Sequence, residues 1–125
     1  MKTNWNYTIA RGAGSGVLEL NNGVGVATVS ASSGNHTLSA PLELHSDLAV
    51  SGAAGGLLTV SGGISGTGGS KTLTKTGGGT LILDGALTFS TLTTNAGRTN
   101  LNATLASASI NNVGGILNVN ADATY

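Results

Sequence analysis

Side chains of one kind return along this chain at an offset of 18 residues. Leu83, Leu101 and Val119 make an apolar row, Asp84, Asn102 and Asn120 a polar row, and Gly79, Gly97 and Gly115 a glycine row. One such row would mean little. Three kinds of residue held in one phase mean that each stretch of about 18 residues is a structural turn stacked on the last. Further rows at the same offset are Val24, Leu42 and Val60; Val26 and Leu44; Leu20 and Leu38; and Leu87, Leu105 and Ala123. Residues 62–71, GGISGTGGSK, break the phase and read as a loop inserted into one turn. Leu73 and Leu92 are 19 apart, an offset that one bulged residue absorbs.

Within each turn the pattern changes to period two. Short alternating runs occur at 17–20, 24–30, 41–50, 57–61, 72–76, 80–85, 87–94, 99–105 and 116–120, punctuated by Gly, Ser, Asn and Asp. No segment carries a sustained helical stripe, so the grammar is strand and turn. Stacked turns of strands make a parallel β-solenoid, each strand pairing with its equivalent one turn away. At about 18 residues per turn the chain predicts about six turns and a rod of roughly 30 Å. Residues 1–16 are expected to cap the exposed strand edges of the first turn through Trp5 and Tyr7, and residues 17–125 to form the repeats. Asp84, Asn102 and Asn120 each follow an inward aliphatic residue, which leaves two readings open, an amide ladder between turns or solvated turn residues.

Composition agrees with a stack of small layers. The 125 residues include 21 Gly and 39% hydrophobic residues but only 3% aromatics and 8% charged residues. That is too apolar for a disordered chain. Five basic and five acidic residues cancel, so nothing marks a nucleic acid or an acidic membrane as partner. With no Cys there are no disulfides and no thiolate chemistry. The first residues lack the apolar stretch of a secretory leader, and the uncharged segment 48–70 is too rich in Gly and Ser to span a membrane.

Several strings imitate chemical sites. Gly12, Gly14 and Gly16 alternate, and GTGGSKT at 66–72 resembles a phosphate loop, but Ser70 stands where glycine should precede Lys71 and no helix follows. Gly77, Gly78, Gly79 and Asp84 echo a calcium-binding nonapeptide in a single copy with the aspartate out of place. His36 and His45 lie nine residues apart without an evident third ligand. Among Glu19, Glu43, Asp47, Asp84 and Asp122, the pair Glu43 and Asp47 is expected to lie close on one turn. Thr72, Thr74 and Thr76 stack on Thr91 and Thr93, a pattern shared with ice-binding arrays and with ordinary outward β-branched residues. Each string is better explained by strand and turn structure. No catalytic, cofactor-binding or metal-binding residue is therefore assigned, and no cofactor is expected.

Residues 66–105 carry something more specific. Leu73, Thr74, Lys75, Thr76, Gly77, Gly78, Gly79, Thr80, Leu81, Ile82 and Leu83 spell Leu-Thr-Lys-Thr-Gly-x-Gly-Thr-Leu-x-Leu. This resembles the core of the autotransporter-associated β-strand repeat, also called the passenger-associated transport repeat. The usual continuation, Gly-Ala-Asn-Thr-Tyr, is reduced here to Gly85, Ala86, Leu87, Thr88 and Phe89. The resemblance covers about a third of the chain and implies a right-handed parallel β-helix from a surface-exposed bacterial passenger, or from a giant extracellular protein built on the same repeat. It implies a secreted or cell-surface location and a stalk rather than an active site. The translocating barrel such passengers carry lies outside this sequence.

The expected function is thus a non-catalytic stalk with an adhesive surface, its partners being further repeats of a longer chain, a host surface or a carbohydrate. A self-assembling fibre subunit is the alternative, because Phe89, Ser107 and Tyr125 keep the offset of 18 to the last residue. A polysaccharide-binding or polysaccharide-cleaving β-helix is a third reading, and it requires a groove with paired carboxylates.

Overall fold

A computed structural model describes residues 8–10, 16–103 and 109–120. They form strands and turns with no helix. A lone strand β1 (Thr8–Ile9) comes first. Four complete turns follow, each of three strands. These are β2 (Leu18–Leu20), β3 (Ala27–Ala31) and β4 (Asn35–Leu38); β5 (Leu42–Leu44), β6 (Leu48–Gly52) and β7 (Leu57–Val60); β8 (Ile64–Gly66), β9 (Thr72–Thr76) and β10 (Thr80–Leu83); and β11 (Leu87–Thr88), β12 (Thr91–Thr94) and β13 (Arg98–Leu101). A partial turn adds β14 (Ser109–Asn112) and β15 (Ile116–Val119).

Every strand pairs in parallel with its equivalent one turn away, which sorts the strands into three sheets. The longest runs β1-β4-β7-β10-β13-β15, the second β2-β5-β8-β11 and the third β3-β6-β9-β12-β14. The chain is a β-solenoid. Five inter-strand steps across the longest sheet give a stack of about 24 Å.

Turn length departs from the expected 18 in the first half. Arg98 and Ile116 follow Thr80 at that offset, but Leu57 pairs with Asn35 and with Thr80, 22 and 23 residues away. Longer turns are why four are complete rather than six. The upstream rows are corrected with them. Leu42 stacks on Leu18 and Ile64 rather than on Val24 and Val60, Leu44 on Leu20 rather than Val26, and Leu38 on Val60 rather than Leu20. Val24 and Val26 are exposed. The extra residues occupy corners: 67–71 separate β8 from β9, whereas only Phe89 and Ser90 separate β11 from β12. The inserted loop is accordingly shorter than 62–71, since Ile64 is buried and pairs with both Leu42 and Leu87. The proposed caps Trp5 and Tyr7, and the row members Leu105, Ser107, Ala123 and Tyr125, lie outside the described residues.

Period-two alternation sends one side of each strand inward. The core is built of aliphatic columns such as Leu48, Leu73 and Leu92, or Leu38, Val60, Leu83 and Leu101, each stacked one turn apart. Leu73, Leu81, Leu83, Leu92 and Leu101 are completely buried. Phe89 is the one aromatic in this core among the described residues.

One column is interrupted by a polar group. Thr99 sits between Leu81 and Leu117, fully buried, and its Oγ1 has no hydrogen-bond partner among the described residues. A desolvated hydroxyl without a partner costs about 1–3 kcal/mol. Thr99→Val keeps the β-branched shape and removes the oxygen. Urea unfolding is expected to show the variant more stable by about 1 kcal/mol, and a loss of stability would mean that the hydroxyl is satisfied.

Candidate functional site

Polar side chains that the fold organises fall into three groups. The first is a set of ladders at the 18-residue offset. Asn102 Nδ2 donates to Asp84 Oδ1 at 2.6 Å and Asn120 Nδ2 to Asn102 Oδ1 at 2.8 Å, with a parallel pair from Asn118 Nδ2 to Asn100 Oδ1 at 2.9 Å. This decides between the two readings of that row in favour of the amide ladder. Asp84 takes part in this ladder, while Gly77, Gly78 and Gly79 pack on the corner made by Gly52, Ala53, Ala54 and Gly56.

The second group surrounds Lys75. Alternation after Leu73 turns this side chain inward, where it is completely buried in the column Val50, Lys75, Thr94 and Asn112. Its Nζ donates to the carbonyls of Thr76 at 2.8 Å, Gly77 at 2.9 Å and Ala96 at 3.4 Å. No carboxylate pairs with it among the described residues. Burial pushes the Lys75 ammonium below its ordinary pKa of 10.5. The carbonyl cage closes the corner between two turns, and Thr94 beside it donates to Asn112 Oδ1 at 2.6 Å. Strand alternation alone could have placed Lys75 inside.

The third group lies on the outer face of the second sheet. β2 and β5 set Glu19 directly opposite Glu43 in the parallel ladder. His45, one residue beyond β5, brings its Nε2 to 2.6 Å from Glu43 Oε1 and 3.4 Å from Glu19 Oε1. The three ligand-type atoms lie within 4.8 Å of one another. Local structure holds them there. His45 N donates to Leu20 O at 2.9 Å, and the adjacent buried Ser46 accepts from Asn22 N at 2.7 Å and donates to Gly23 O at 3.1 Å. The corner after β2 is thereby tied to the corner after β5.

The remaining candidates are dispersed. Asp47 does not join Glu43; its Oδ1 accepts from Thr72 N at 2.9 Å. His36 belongs to β4 in another sheet, and its Nε2 lies 2.6 Å from Ser33 O. The string 66–72 ends in strand β9 with Gly68 and Gly69 at positive φ, so no helix N-terminus faces it. Thr72 stacks on Thr91 and Thr74 on Thr93. A depression of about 300 Å³ is lined by Ile9, Val29, Ala31, His36, Leu38 and Leu58 with small polar neighbours and carries no acidic side chain. The paired carboxylates sit on an open sheet face instead. Compared with known proteins, the chain matches no family model, no curated protein and no solved structure.

Proposed function

We propose that this chain is a non-catalytic structural segment of a secreted or cell-surface β-helical passenger, serving as a rigid stalk. The observation that carries the reading is how the stretch Leu73 to Leu83 is used. Its inward aliphatics Leu73, Leu81 and Leu83 are buried in the stack, Lys75 is consumed in closing a corner, and Gly77 and Gly79 pass so close to the neighbouring turn that a side chain would strike Gly52 and Ala53. A motif whose leucines, lysine and paired glycines serve the contact between turns is a motif for building length. The amide ladders and the parallel backbone ladder both tie each turn to the next.

Assembly of separate copies into a fibre is the second reading. It is favoured by apolar residues at both ends of the described stack: Val17 and Val26 at one, and Val113, Ile116 and Val119 at the other, all at least 44% exposed. Sedimentation and negative-stain electron microscopy of the purified chain separate the two. A monomer at all concentrations is the outcome for the stalk, and filaments growing with concentration would transfer the function to the fibre.

A further inference from the structure

We infer that Glu19, Glu43 and His45 form a binding site for a divalent transition-metal ion of the zinc class, one that fastens the first complete turn of the solenoid to the second. Two carboxylates directly opposite one another on adjacent strands repel, an arrangement that costs stability unless a cation lies between them. His45 supplies the third donor at the point where the cation would sit, because its Nε2 faces oxygens of both carboxylates.

Geometry fits such an ion. Zinc bound at about 2.0–2.2 Å to nitrogen and oxygen donors in a tetrahedron spaces its ligand atoms about 3.3 Å apart. The His45 to Glu19 separation of 3.4 Å already has that value, and the His45 to Glu43 separation of 2.6 Å needs to open by less than about 1 Å. All three side chains reach solvent, Glu19 being 61% exposed, so an ion has a path in and water can complete the coordination. The class follows from the donors. An imidazole with two carboxylates suits zinc or cobalt, whereas calcium and magnesium prefer an all-oxygen shell.

The location gives the ion a structural task. β2 is a three-residue strand that among the described residues is bonded only to β5, and its residues are partly exposed. Ordinary ladder bonds hold such a strand weakly. A metal bridging Glu19 to Glu43 and His45 joins β2 to β5 through side chains, so the strand is secured when the ion is bound.

Isothermal titration of the full chain with zinc chloride is expected to give one saturable site. Glu43→Gln and His45→Gln should each weaken it by about tenfold or more, since even outer partners of metal ligands are worth that much. His36→Gln should leave it unchanged. Cobalt chloride should produce a visible absorption band that His45→Gln weakens, and at a given free zinc concentration the melting temperature should rise further in the parent than in the variants. The ligands are surface side chains, and far-UV circular dichroism checks that the variants keep the fold. Absence of saturable binding, a zinc affinity unchanged by His45→Gln, or calcium bound as tightly as zinc would each overturn the inference.

Discussion

Replacing Gly97 by alanine is expected to cost about 4 kcal/mol, enough to unfold a domain of ordinary stability at moderate urea. Two effects combine. Gly97 has φ of 72°, a left-handed conformation that costs an L residue about 1–2 kcal/mol. A Cβ there would also stand closer than 3.0 Å to the carbonyl oxygens of Gly79 and Gly77 and to Lys75 Nζ. Backbone oxygens one turn away cannot yield without opening the ladder, and overpacking of this kind costs about 1–3 kcal/mol more. Gly68 is the control, with φ of 73° and nothing within 4 Å of an added Cβ. Gly68→Ala should lose only about 1 kcal/mol. Urea unfolding of the two variants side by side reads the difference, and equal losses would mean that the Gly79–Gly97 corner is not the tight contact described.

That corner is also where the sequence was easiest to interpret. Gly79, Gly97 and Gly115 repeat because each occupies the same corner of successive turns, and the rows through Leu83 and Asp84 repeat with them. Here corner length is constant, so sequence offset equals one turn. Upstream it is not, and the rule fails for a physical reason. The chain is rich in Leu and Val, so aliphatic pairs recur at an offset of 18 by coincidence, while the true partners of Leu42 are 24 and 22 residues away at Leu18 and Ile64. A backbone ladder fixes the register of strands but lets a corner grow by several residues, as at 67–71.

The candidate metal site was hidden by the same variability. Glu19 and Glu43 are 24 residues apart, an offset that a uniform repeat of 18 never brings together. Asp47, nearer to Glu43 in sequence, is drawn off by the Thr72 amide. What would have exposed the site is the run Leu18, Glu19, Leu20 recurring as Leu42, Glu43, Leu44, an identical Leu-Glu-Leu triplet in two places. Identical strands in a solenoid stack on one another, so their outward residues meet.

Removing the buried cation is the second large effect. Lys75→Ala deletes a fully buried side chain and leaves the Thr76, Gly77 and Ala96 carbonyls without their donor, and the cavity and the stranded acceptors together predict a loss of about 4 kcal/mol. Lys75→Met fills most of the volume but not the bonds, and should lose about 2 kcal/mol. The charge adds a dependence on pH whose sign follows from burial. The carbonyl cage favours the ammonium, yet desolvation outweighs it and lowers the folded pKa below 10.5, the value the unfolded chain keeps. Between those two values the unfolded chain holds more protons, so stability rises with pH across that window and is independent of this group below it. No other ionisable side chain among the described residues pairs with Lys75, which makes the slope attributable. Urea midpoints measured up to about pH 10.5 should rise relative to those of Lys75→Met, whose own profile lacks this component. Identical slopes in the two proteins would show that the Lys75 ammonium stays as well solvated inside the corner as it is in the unfolded chain.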